Sequence, residues 1–414
     1  MKTLVGTIVA LALAGSAAAA PNAAIEADRL FFAGDFARAQ TLYEAVPSGG
    51  PRYEAALRQL GAIALYENRL DEAEQALRLA VLQDPTDTKA DLLLAEAASR
   101  RGNFAGAATW LRQAGRGERA AAYEAFGNAQ AYRITSAEKG ARVPFVQTDP
   151  LPAVEMSVNG VRGLFLIDTG AAEIVLDPAF AEKADVAASG GGTGTFAGGK
   201  TADITYARIA KIQLQSLDVA DVPAVLLSTA GFADAAKGKT VAGVIGTEFL
   251  SRFRATIDYP RGMLVLEPPD APRDRVQGIE VPFLMVRDHF LVARGALNDG
   301  AERAFLVDTG LAGNAFTAPA ATLRDAGIAI PALPPDSDSS EIGESAEAPF
   351  DIRALSLGRV RREDLKGLYG PFPPQLESST GVHIGGIVSH AFFRPYALTF
   401  DFARMRIILR KPKA

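Results

Sequence analysis

The chain has 414 residues, 48% of them hydrophobic and 22% charged, with a formal net charge of −5. That length accommodates two or three domains with cores of their own, and the mild acidity carries none of the basic footprint of a nucleic-acid binder. The absence of cysteine excludes disulfides, Cys-ligated zinc, a thiol nucleophile and a lipid-modified cysteine behind a leader.

Residues 1–20 read as a secretory signal: Lys2 gives a positive start, Leu4 to Ala14 an apolar core, and Ser16 to Ala20 a small-residue run suited to cleavage. The apolar core is short for a membrane span, and no second long apolar run follows. The expectation is an exported protein, periplasmic or secreted, with no membrane span after signal removal.

Residues 24–132 are rich in Ala, Leu, Glu and Arg at helical periodicity. Ala39, Ala73 and Ala107 recur every 34 residues, in similar settings: Gly34-Asp35-Phe36, Asn68-Arg69-Leu70 and Gly102-Asn103-Phe104. The middle copy adds Leu60-Gly61, Leu77, Ala80 and Pro85, and the segment resembles tetratricopeptide repeats, closely stacked helical hairpins. Residues 116 to 132 read as a capping helix. Such arrays serve as binding surfaces, so a protein partner on the helical repeats is one expectation; packing on the rest of the chain is the other.

Residues 133 to 142 read as a linker. From Val143 onward, short apolar runs alternate with Gly, Pro, Asp and Ser, which predicts many strands and few helices. A second linker, Pro268 to Arg275, divides this region into halves that correspond to each other. Ile209 to Leu214 matches Ile352 to Leu357, Gly243-Val244-Ile245 matches Gly386-Ile387-Val388, and Thr256-Ile257-Asp258-Tyr259 matches Thr399-Phe400-Asp401-Phe402. Order and spacing are kept, so the halves read as an internal duplication.

Each half also carries one copy of Phe-Leu-[Ile/Val]-Asp-Thr-Gly, at Phe165 to Gly170 and at Phe305 to Gly310. With Ala171 behind the first copy and Val244-Ile245-Gly246 downstream, each half resembles a lobe of the retropepsin-like aspartic proteases, the family of the retroviral enzymes, to which bilobed pepsin is related. The resemblance covers nearly all of residues 143 to 412. It implies a multidomain protein: all-α tetratricopeptide-like repeats over 24–132, then an all-β pair of retropepsin-like lobes, 143–267 and 277–412, forming a pseudo-dimeric acid-protease fold.

The resemblance makes Asp168 and Asp308 the catalytic pair, with Thr169, Gly170, Thr309 and Gly310 supporting the loops and the two threonines bracing them against each other. Two carboxylates a few ångströms apart cannot both ionise, so one proton is shared. The ionised member can take a proton from water while the other hydrogen-bonds the peptide carbonyl. Gly190 to Lys200 lies where the family has a substrate flap, with Gly194, Thr195 and Phe196 at its tip; an ordinary glycine-rich loop is the competing reading. Asp336 to Glu347 occupies the corresponding stretch of the second half.

No His-Glu-x-x-His, Gly-x-Ser-x-Gly or dinucleotide-binding glycine pattern is present, so neither metal nor organic cofactor is expected. His383 and His390 read as local structure beside a Gly-Gly turn. The second half departs from the pattern where Leu311 replaces Ala171, Gly313-Asn314 replaces Glu173-Ile174, and Ser389 replaces Gly246; the serine is expected to loosen the support of its loop. The expected function is an exported aspartic endopeptidase acting on a peptide or protein substrate. Two alternatives stay open: a non-catalytic peptide-binding protein on the same fold, and a protease whose first lobe pairs with another chain.

Overall fold

The computed structural model describes residues 23–195, 201–272, 277–333, 347–370, 372, 376–377 and 380–412. The expected signal at 1–20, the flap residue Phe196 and most of Asp336 to Glu347 lie outside them. The N-terminal part is helical: α1 (23–32), α2 (Phe36–Glu44), α3 (Tyr53–Tyr66), α4 (Leu70–Gln83), α5 (Thr88–Arg100), α6 (Phe104–Gln113) and α7 (Gly117–Glu124). Asp35, Asp87 and Asn103 cap α2, α5 and α6 by accepting from backbone N–H groups of the first turn. Ala39, Ala73 and Ala107 are fully buried. Gly61 lets α3 approach α4, since a Cβ there would lie 2.5 Å from Cγ of Leu77. Among the described residues no helix is long and apolar enough to cross a membrane.

The rest is β-rich. The first half contains β1 (Arg133–Ile134), β2 (Ala141–Gln147), β3 (Ala153–Val158), β4 (Val161–Ile167), β5 (Ile174–Leu176), α8 (Pro178–Lys183), β6 (Ala187–Thr195), β7 (Thr201–Leu214), β8 (Leu217–Leu226), β9 (Gly243–Ile245), α9 (Thr247–Leu250), β10 (Arg254–Asp258) and β11 (Met263–Glu267). The second contains β12 (Ile279–Val286), β13 (Phe290–Leu297), β14 (Arg303–Asp308), β15 (Phe316–Ala318), α10 (Ala320–Asp325), β16 (Ala348–Leu357), β17 (Val360–Tyr369), β18 (Gly386–Ser389), α11 (His390–Phe393), β19 (Ala397–Asp401) and β20 (Arg406–Arg410). In the stretch read as a linker, β1 pairs with β8.

The halves meet in a six-stranded antiparallel sheet ordered β2–β11–β10–β19–β20–β12. At its centre Thr256 faces Thr399, with the two hydroxyls 2.7 Å apart. Each half gives three strands, so the sheet is two-fold symmetric about that pair. Strands β2 and β12 continue into the separate sheets of their own halves.

The helical region packs on both halves. Leu30, Phe31, Tyr66 and Leu94 share one apolar cluster with Val286, Val292, Leu306 and Val382 of the second half. Phe104, Tyr123 and Phe126 join the core of the first half. Polar contacts add to this: Arg100 donates to the carbonyls of Met285 and Arg287 at 2.8 and 2.7 Å, and Arg252 donates to the carbonyl of Arg100 at 2.8 Å. Of the two expectations for the helices, the structure displays packing on the rest of the chain.

Candidate active site

In each half a strand whose last apolar residues are buried delivers an aspartate into a tight turn. Strand β4 runs parallel to β9, with Phe165 opposite Gly243 and Ile167 opposite Ile245, and Asp168 follows it. Strand β14 runs parallel to β18, with Asp308 opposite Ser389. Burial of Phe165, Leu166, Ile167, Phe305 and Val307 fixes both strands in place, so the aspartates emerge where the two halves face each other.

The two turns interlock reciprocally. Thr169 N–H donates to Oγ1 of Thr309 and Thr309 N–H to Oγ1 of Thr169, each at 3.1 Å. The hydroxyls then cross over: Thr169 donates to the carbonyl of Val307 at 3.0 Å and Thr309 to that of Ile167 at 3.2 Å. Both threonines are buried. A Thr169→Val substitution leaves the Thr309 N–H and the Val307 carbonyl without these partners. We expect it to cost about 3 kcal/mol, one to three for each buried polar group stranded. Urea unfolding measures this, and a loss under about 0.5 kcal/mol, within the range of a neutral surface change, would contradict the brace.

Asp168 and Asp308 are half-buried, and their carboxyl groups lie close enough to shift each other's ionisation. Gly170 N–H donates to Asp168 Oδ1 at 2.7 Å, and Gly310 N–H to Asp308 Oδ1 at 2.8 Å. Each glycine also lies against the opposite aspartate. A Cβ on Gly170 would stand 2.5 Å from Oδ2 of Asp308, and one on Gly310 would overlap the carboxyl of Asp168. Glycine is required here for close approach.

Burial raises both carboxyls above the ordinary aspartate value. For Asp168 this is opposed by the hydrogen bond to Asp308, the Gly170 N–H and the charge of His289. For Asp308 the neighbouring charge of Asp168 adds to burial and pushes it well up. The pair therefore holds one proton over a pH range in which an isolated aspartic acid has lost its own, and it titrates as a unit. Such a pair can act as acid and base at once.

Around the dyad lie groups that no sequence motif announced. His289 precedes β13 and bonds through Nδ1 to Asp288 Oδ1 at 2.6 Å. On the other side His390 is buried, 3.3 Å through Nε2 from Asp149 Oδ1 of the first half, and Arg394 bonds Asp149 Oδ2 at 2.6 Å. His390 thus ties one half to the other and is not the purely local feature expected of it; the partner is 241 positions away, beyond any local pattern.

The expectation for Ser389 also needs correction. Its side chain is buried, its Oγ donates to Asn314 Oδ1 at 3.4 Å, and its N–H donates to the Ala315 carbonyl at 3.0 Å. Asn314, where the first half has Ala172, supplies the partner the serine needs. The flap candidates Gly194 and Thr195 sit in the β6–β7 hairpin, opposite Ala202 and Thr201. The base of that hairpin is held from the helical region: Arg208 donates to the Ala125 carbonyl at 3.3 Å and stacks over Phe126.

A family model described as aspartyl protease matches residues 154–249. The matched stretch runs from within β3 into α9 and contains Asp168, Thr169, Gly170 and Gly246. It supports a hydrolase of the peptidase class. No curated protein matches the chain.

Proposed function

We propose that the protein is an exported aspartic endopeptidase whose water-activating dyad is Asp168 from the first lobe and Asp308 from the second. The observation that carries this reading is the meeting of the two carboxyls, each against the glycine of the opposite turn, at the centre of a reciprocally braced pair of turns. The reading is further supported by the aspartyl-protease match over residues 154–249. Pairing of the first lobe with another chain is disfavoured, because its β10 edge is already taken by β19 and its Thr169 by Thr309.

In this mechanism the ionised carboxyl takes a proton from a water lying between the two. The water oxygen forms a bond to the peptide carbonyl carbon while the protonated carboxyl gives its proton to the carbonyl oxygen. The resulting gem-diol collapses as the newly protonated carboxyl gives its proton to the amide nitrogen, the other carboxylate takes one from a gem-diol hydroxyl, and the C–N bond breaks to release acid and amine. No covalent enzyme intermediate forms, and the dyad ends with the single proton it began with. The Gly170 and Gly310 N–H groups hold the carboxyls in the orientation this exchange needs. The helices would bring protein substrates to the cleft, and export would place the enzyme in the periplasm or outside the cell.

The test is cleavage of casein and a peptide library between about pH 3 and pH 8, a span set by the ordinary and the raised carboxyl ranges. Activity should follow a bell-shaped profile, with both limbs displaced upward from the ordinary aspartate range because burial raises the pair. Pepstatin, whose central hydroxyl mimics the gem-diol, should inhibit. No cleavage at any pH, together with no pepstatin binding, would favour a peptide-binding protein instead.

A further inference from the structure

The two halves of the dyad are flanked by charge clusters of different origin, the one beside Asp168 buried and the one beside Asp308 partly exposed. Beside Asp308 the cluster is built by the two lobes alone: Arg394 follows α11, bonds Asp149 and lies 5.8 Å over the ring of Tyr259. At the matching place in the first lobe stands Ser251, whose hydroxyl only caps the carbonyl of Glu248 at 2.8 Å. The first lobe also has two acids where the second has none: Glu173 answers to Ala315, and Glu248 to Ala391. Both are buried, with side chains 9% and 8% exposed. The first lobe by itself therefore holds two buried carboxyls and lacks the arginine its counterpart has.

That arginine comes from the helical region. Arg119 of α7 forms an ion pair with Glu173 and lies 4.0 Å from Oε1 of Glu248. Its guanidinium sits over the rings of Tyr123 and Tyr206, 4.8 and 4.9 Å from their centroids, and donates to Oη of Tyr123 at 3.1 Å. Tyr132 donates to the second oxygen of Glu248 at 3.2 Å. Burial and the nearby Glu173 push Glu248 up to about 7.

The link to the chemistry is short. Glu173 ends the turn that starts at Asp168. The carbonyls of Ala171 and Ala172 in that turn accept from Thr247 N–H and Glu248 N–H at 2.9 and 2.8 Å, and Thr247 Oγ1 donates to the Thr169 carbonyl at 2.8 Å. Arg119 therefore grips the two segments that hold Asp168 in place. We propose that Arg119 of the helical region is a positioning residue for Asp168, which makes the helices part of the catalytic unit and not a tethered module. This rests on the peptidase reading only for its kinetic consequence; the grip itself has its own readout.

The test compares Arg119→Met, Arg119→Lys and the double variant Arg119→Met/Glu173→Gln in the full-length protein at pH 6. We expect Arg119→Met to lower kcat about tenfold or more through misplacement of the turn, with KM changed by less than about twofold. The lysine and the double variant should recover most of kcat, since one restores a cation and the other removes the stranded carboxylate. Hydrogen–deuterium exchange over residues 168–176 and 246–252 should speed up in Arg119→Met and return in the double variant. Wild-type kcat and exchange in Arg119→Met would overturn the proposal, as would an exchange defect that the double variant fails to reverse. If the wild type cleaves nothing, the peptidase reading falls, and the exchange result still decides whether Arg119 holds the turn.

Discussion

Replacing Asp308 by Asn is expected to reduce kcat roughly a thousandfold, with KM and overall fold little changed, and Asp168→Asn should do the same. General acid–base groups contribute factors of about a hundred to ten thousand, and a thousandfold corresponds to about 4 kcal/mol of transition-state stabilisation. The losses should be similar because the two carboxyls act as one proton-sharing unit, and the double variant should be hardly worse than either single one. Casein or peptide hydrolysis measures the effect. Retention of more than about a tenth of the activity in Asp308→Asn would mean that the second lobe takes no part in the chemistry, since that falls short of any acid–base contribution.

The same substitutions carry a stability signature of fixed sign. Both carboxyls have folded-state values above those of the unfolded chain, because burial outweighs the groups that favour ionisation. Their contribution to stability is thus fully present below the unfolded value. It is lost as pH rises through the folded value, when the native pair must give up its proton or unfold. Asparagine has no proton to lose. Asp308→Asn should therefore melt at a higher temperature than the wild type at neutral pH, and the gap should shrink towards pH 3. A thermal melt series against pH checks the trend, and a gap that widened on acidification would contradict the burial of the pair.

The second large effect is an asymmetry between the halves. Gly246→Ser in the first lobe should destabilise the protein by about 3 kcal/mol or more and abolish activity, whereas Ser389→Gly in the second should cost only about 1 kcal/mol. A Cβ on Gly246 would overlap the carbonyl oxygen of Glu173 and stand 2.5 Å from that of Ala172. Both are main-chain atoms in the turn behind Asp168, and no rotamer change relieves the clash. In the second lobe the chain has made room, through Gly313 in the left-handed region at φ 83° and Asn314 facing the serine. Apparent unfolding midpoints of the two variants test this. Equal effects would mean that the two supports are interchangeable.

These cases also mark where the sequence was readable. The shift from helical to strand periodicity by Val143 was visible because local pattern decides it: Ala39, Ala73 and Ala107 repeat, and each is buried in its helix. Matched strings were equally visible, and two of them meet in space, with Thr256 hydrogen-bonded to Thr399 and the turn of Asp168 interlocked with that of Asp308. What stayed hidden were compensations between distant positions. Ser389 looked like a defect because its remedy, Asn314, lies 75 residues earlier. The Arg119–Glu173–Glu248–Tyr132 cluster draws one residue from each of four separate segments. Its only trace was charge where the other half has none, Glu173 against Ala315 and Glu248 against Ala391. Burial of charge is a tertiary property, and a string of letters shows it only once the cation is known.

The sheet formed by β2, β11, β10, β19, β20 and β12 has a final consequence. Its central seam is main-chain pairing about Thr256 and Thr399, so either half alone would bare an edge already shaped to receive another like itself. Joining the two in one polypeptide guarantees that unlike copies always close together. Once that is guaranteed, only the seam and the interlocked turns must stay alike. Every other face is free to specialise, one towards the helices through Glu173 and Glu248, the other towards its own Arg394, without the molecule ever ceasing to be a closed pair.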